Sequence, residues 1–197
     1  MCGRFRAAIE GFNDYLAEVK DGPDARDVRF SLTTFNSYEF NRRYINSPLL
    51  EVPPLDLITY SPRSATPLYD AVVKMIKDME QYVSEVDEPR VVITILTDGL
   101  ENASTAYDGA EVSRLVNRKQ DEGWAVTYLG TNQDAWAAAE GIGIGRGNSA
   151  GFEPTPEGMH LAFRSMARAT RQYMQSDDDS PVQLLCASTN PRTGLLV

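Results

Sequence analysis

Two short stretches carry side chains suited to holding a hard cation. In "SATPLYDA" (64–71) Thr66 stands just ahead of a long amphipathic segment, and in "LTDGLEN" (96–102) Asp98 ends the apolar run "VVITILT". One hydroxyl and one carboxylate from neighbouring loops are hard oxygen ligands of the kind that bind Mg²⁺ or Mn²⁺. Each residue also has a purely structural reading. Thr66 can cap the helix ahead of Pro67, and Asp98 can cap the turn after its strand. Gly99 reads as the residue that lets the backbone turn away.

The other reactive residue types form no comparable pattern. His160, the only histidine, lies in a helical stretch beside Met159 and Leu161, with no nucleophile motif near it. Gly141, Gly143, Gly145 and Gly147 alternate, but they follow a helix and precede a loop. A dinucleotide fingerprint needs its glycines between a strand and the helix it opens. "LTDGLEN" has a superficial likeness to the D-x-D-G-T strand end of haloacid-dehalogenase-type phosphatases, but Leu96 stands where the nucleophilic aspartate would be. Asp177, Asp178 and Asp179 read as a solvated acidic linker. Cys2 and Cys186 sit at opposite ends without metal-type spacing and read as free thiols.

The elements that must position Thr66 and Asp98 follow from periodicity. Phe5, Ala8, Ile9, Phe12, Leu16 and Val19 recur at helical spacing over 4–20. "VRFSLTTF" (28–35) and "YEFNRRYI" (38–45) read as an antiparallel edge hairpin turning at Asn36-Ser37. Leu68, Ala71, Val72, Met75, Ile76, Met79 and Val83 mark the longest helix, with Pro67 near its first turn. A strand over 91–97, a helix closed by Gly123, a strand over 124–131 and a short helix capped by Asp134 follow. Residues 141–152 read as loop with one short strand near 148–152, and 156–174 as a last long helix. Strands alternating with helices predict a mostly parallel sheet covered on both faces, with ligands at the carboxyl ends of the strands.

Composition narrows the function classes. The 197 residues suit one α/β domain, and a net charge of −9 argues against a nucleic-acid surface. No apolar run approaches the ~20 residues that span a bilayer, and "MCGRFRAAIEG" lacks a signal-peptide core. Cytoplasmic residence without a membrane partner is the expectation.

"TPLYDA", one helix, an apolar strand and then "TDG" together resemble the von Willebrand factor A domain family, in its short intracellular bacterial and phage form. The resemblance covers about residues 4–175, leaving 176–197 as acidic linker and tail. It implies a Rossmann-like three-layer α/β/α fold with an antiparallel edge strand. It also implies a metal-ion-dependent adhesion site in which Thr66 matches the motif threonine and Asp98 the later aspartate. The family's function is protein binding without catalysis, an acidic side chain of the partner completing the coordination of Mg²⁺ or Mn²⁺. Asn102, Tyr107, Asn132 and Gln133 lie on loops that would frame such a partner.

The family's D-x-S-x-S motif and the central strand that carries it have no counterpart here, since only "MCGRF" precedes the first helical positions. Weak or absent metal binding is therefore expected, with a degenerate metal-free scaffold as the alternative function and an enzyme with an unrecognised site a distant third. Met1 falls where the family motif ends in methionine, so the natural protein is expected to start upstream with an apolar run and Asp-x-Ser-Gly-Ser. Without the central strand, a gap of roughly 9–10 Å separates the strands holding 28–35 and 91–97. They are expected either to pair directly or to accept a substitute such as "VQLLCAS" (182–188), with marginal stability as the consequence.

Overall fold

The amphipathic stripe at the start of the chain forms helix α1 (Cys2–Lys20), in a computed structural model that describes residues 2–57, 65–131 and 134–175. Met1, Asn132, Gln133 and the run 182–188 lie outside the described residues. The hairpin forms, with β1 (Arg29–Phe35) antiparallel to β2 (Phe40–Pro48), the second strand starting two residues later and running three residues further than its pattern predicts. Its turn is built by Asn36, whose Oδ1 accepts from the backbone N–H groups of Tyr38 and Glu39 at 2.8 and 3.0 Å.

The remaining elements alternate. They are α2 (Leu68–Val83), β3 (Val92–Thr97), α3 (Gly109–Asp121), β4 (Ala125–Thr131), α4 (Ala135–Gly141), β5 (Ser149–Phe152) and α5 (Pro156–Gln175). Local chemistry explains most boundaries. Asp108 and Glu111 form a reciprocal capping box at the start of α3. Gly123 takes φ +88° just beyond that helix. Thr155 Oγ1 accepts from Gly158 N at 3.0 Å, and Pro156 fills the first helical position of α5. Asp134 stands where a cap was expected for α4, but its side chain makes no capping hydrogen bond.

Strands β3, β4 and β5 form a parallel sheet in that order, with Val92 opposite Ala125 and Thr97 opposite Gly130. Side chains alternate across central β4. Ala125 and Leu129 pack into the core built on α1 and α5, while Val126 and Tyr128 enter the core built on α2, α3 and α4. Helices thus cover both faces. Among the described residues no helix is long and apolar enough to cross a membrane.

Among the described residues the strands fall into two sheets, where the sequence predicts one mostly parallel sheet. The β1–β2 pair is a separate two-stranded sheet, so β1 and β3 do not pair directly. Apart from its ladder to β2, strand β1 is positioned by helices. Phe30 packs 6.1 Å from Phe12 and 6.4 Å from Tyr15 of α1, and α1 is in turn locked to α5 through a T-shaped Phe12–Phe163 contact. Between the facing edges of β1 and β3 lies a cavity of about 700 Å³, walled by Phe12, Phe163 and Met166 on one face and Val72 and Met75 on the other.

Candidate functional site

The loop entering α2 and the loop leaving β3 meet at one end of the sheet. Two backbone-directed hydrogen bonds join them, Thr66 N donating to Asn102 Oδ1 at 2.8 Å and Asn102 N donating to Thr66 O at 3.2 Å. The Thr66 hydroxyl rests on Gly99, where a β-carbon would come within 2.7 Å of Oγ1. Gly99 is not in the left-handed region, which only Gly123 and Gly143 occupy among the described glycines. The chain does bend at Asp98 and Gly99, as the sequence predicts, and a side chain at 99 would lack the space that Thr66 fills. Nor does Thr66 cap α2, because Pro67 holds the cap position without a side-chain hydrogen bond.

Asp98 is held by its backbone on both sides. Thr131 Oγ1 donates to Asp98 O at 3.1 Å, and Thr97 Oγ1 accepts from Gly99 N at 3.2 Å while donating to Gly99 O at 2.9 Å. The Asp98 side chain is exposed, and among the described residues its carboxylate has no hydrogen-bond or ion-pair partner. The structure thus seats Thr66 on the residue adjoining Asp98 and leaves the carboxylate facing solvent.

Two further carboxylates organise the loop between β3 and α3. Glu101 Oε1 accepts from Ala103 N and Ser104 N at 2.8 and 2.7 Å, and Oε2 from Tyr69 N and Ser104 Oγ at 2.9 and 2.7 Å. Desolvation raises the Glu101 pKa, but the hydrogen bonds from Ser104, Tyr69 and Ala103 together outweigh it and hold the group below its ordinary value. Its charge also lies at the amino end of α2, where unsatisfied N–H groups favour an anion. Buried Asp70 accepts from Thr105, Ala106 and Tyr107 backbone N–H groups, each at 3.1 Å. Both were missed from sequence. The available signals were an acid on the buried face of a helix's first turn, and a Glu with Ser three residues on.

The loop residues named from sequence are placed differently from one another. Asn102 is exposed, but its acceptor oxygen is engaged by Thr66. Tyr107 lies against the flank of α2, where Lys77 Nζ donates to its hydroxyl at 2.8 Å. Asn132 and Gln133 fall outside the described residues.

No group of three or more His, Cys, Asp or Glu gathers among the described residues. Thr66 Oγ1 and the Asp98 carboxylate are two oxygen sources, whereas Mg²⁺ takes about six ligands in near-octahedral geometry. The chain matches no family model, no curated protein and no solved structure.

Proposed function

We propose that this chain is a non-enzymatic protein-binding module of the von Willebrand factor A type, with Thr66 and Asp98 as two ligands of its adhesion site. The observation that carries the reading is the seating of the Thr66 hydroxyl on Gly99, beside an exposed Asp98 that has no described partner. Two loops from different elements are locked so that a hydroxyl and a carboxylate share one patch. Thr66 and Asp98 would hold Mg²⁺ or Mn²⁺, with water filling the other positions, and the ion would act as the Lewis acid for a partner's Asp or Glu. With so few protein ligands, the affinity is weak.

Calorimetric titration of Mg²⁺ into the chain, followed by binding of a peptide with a single Glu, tests the reading. Binding no tighter than ~1 mM is expected, with peptide association that needs Mg²⁺ and is lost in Asp98→Ala and in the Gln version of the peptide. Tight stoichiometric metal binding abolished by Asp98→Ala would contradict the two-ligand site. Peptide association indifferent to both Mg²⁺ and Asp98 would contradict the adhesion reading.

A second reading, a metal-free assembly scaffold, is favoured by one observation. The Thr66–Asn102 pair and the Glu101 and Asp70 hydrogen bonds tie the same loops together through protein groups. In that case Mg²⁺ leaves the melting temperature unchanged.

A further inference from the structure

We propose that the cavity between β1 and β3 is a strand-acceptor slot, and that its occupant is residues 182–188 of this same chain, "VQLLCAS", added parallel to both strands. The inference does not depend on metal or on an adhesion function.

The chemistry of the slot calls for an extended peptide. Among the described residues β1 is paired only to β2, and β3 only to β4, so each presents one unpaired backbone edge to the cavity. Both faces of the same cavity are apolar, with Phe12, Phe163 and Met166 opposite Val72 and Met75. Water satisfies the edges but not the faces, and a small apolar molecule satisfies the faces but not the edges. A strand with apolar side chains on both sides satisfies both.

The two edges also run the same way. Moving down α2 from Lys74 to Asp78 follows β2 from Phe40, under Lys74, to Arg42, paired with Asp78. Phe40 lies opposite Phe35 and Arg42 opposite Thr33, so β1 climbs toward the end of the sheet where α2 begins. That is the end where β3 terminates, because Thr66 meets Gly99 there. A strand between them can therefore be parallel to both.

Topology selects the occupant. Arg90, two residues ahead of β3, donates from Nη2 to Tyr173 O at 2.6 Å, and Tyr173 and Met174 line the cavity. The last turn of α5 thus ends at the mouth of the slot where a parallel strand must enter. Residues 176–181 can bridge up to roughly 20 Å, and the seven residues of 182–188 match the seven of β1 and the six of β3. Handedness agrees as well. Helix α3 carries the chain from β3 to β4, away from the slot, across the face that holds α2 and α4. Helix α5 would carry it from β5 back toward the slot across the opposite face. Reversing both direction and face preserves the hand, so the crossover keeps the right-handed sense required of parallel connections.

The test uses the full chain with Cys2→Ser, which leaves Cys186 as the single thiol. Its reaction with Ellman's reagent should be slowed on the order of 100-fold relative to the denatured chain, in a protein that is monomeric by light scattering. Hydrogen exchange of residues 29–35 and 92–97 should speed up when the chain ends after residue 181. In the full-length chain, Leu184→Asp should expose the same amides and Cys186, a comparison that holds if the shortened chain does not fold. Cys186 reacting at the denatured rate, or unchanged exchange in β1 and β3 on loss of 182–197, overturns the proposal. A protected Cys186 found only in a dimer overturns the same-chain assignment in favour of exchange between copies.

Discussion

Thr66 and Gly99 are in direct contact, the Thr66 hydroxyl filling the space that a side chain at position 99 would need. The contact converts two separate loops into one surface, because Thr66 leads into α2 and Gly99 follows the last residues of β3. A methyl group placed 2.7 Å from Oγ1 must displace Thr66 or the turn itself. Gly99→Ala is expected to cost about 1–3 kcal/mol, as overpacking does. In the Thr66→Ala background the same change should cost at least about 1 kcal/mol less, a coupling that a urea double-mutant cycle reads directly. Additive costs would mean that the two residues do not touch in solution.

Asp70 is the hub of the loop that follows the site. Removing its carboxylate strands three backbone N–H groups, at residues 105, 106 and 107, in a partly buried setting. Asp70→Ala is expected to destabilise by about 2–4 kcal/mol, since unpaired buried donors lose their full desolvation cost. Asp70→Asn, which keeps one acceptor, should lose less. Urea melts of both variants, with exchange rates at 105–107, check the ranking.

Glu101 makes the loop acid-sensitive. Its folded pKa is depressed, so its stabilisation is complete above the ordinary carboxylate value of about 4.3 and is lost as pH falls through the lower folded value. Protection of the Ala103 and Ser104 amides, taken relative to their intrinsic exchange at each pH, should therefore fall reversibly below about pH 4. Glu101→Gln should show the lower protection already at neutral pH and no further step attributable to this group. A Glu101→Gln profile that still tracks the native one would rule the carboxylate out as the cause.

Two glycines of similar sequence context should behave in opposite ways. A β-carbon on Gly158 would collide with the backbone carbonyl of Glu153, which cannot move without undoing the start of α5. Gly141, at the end of α4, has nothing within 4 Å of the corresponding position. Gly158→Ala is expected to cost more than ~2 kcal/mol, whereas Gly141→Ala should be neutral or stabilising by up to ~1 kcal/mol. Thermal melts of the two variants side by side give the sign of each.

Periodicity and punctuation by themselves determined the elements of this protein. The stripe from Phe5 to Val19, the hairpin turning at Asn36, the helix opened by Pro67 and the strand ending at Thr97, just before Asp98, all stand where their patterns place them. These are local choices, set by which side chains recur on one face and by where the backbone can break. How the strands associate was not local. The aromatic contacts that seat β1 run from Phe30 to Phe12 of α1 and on to Phe163 of α5, and the last step joins residues more than a hundred positions apart. The chemistry-bearing pair was legible as residue types, and its contact was not. Only the folded chain brings Thr66 onto Gly99, and only there does the glycine, at the bend after β3, also make room for a hydroxyl. Asp70 and Glu101 went unrecognised for the same reason. A carboxylate in a sequence reads as surface charge until the fold shows which N–H groups have turned toward it.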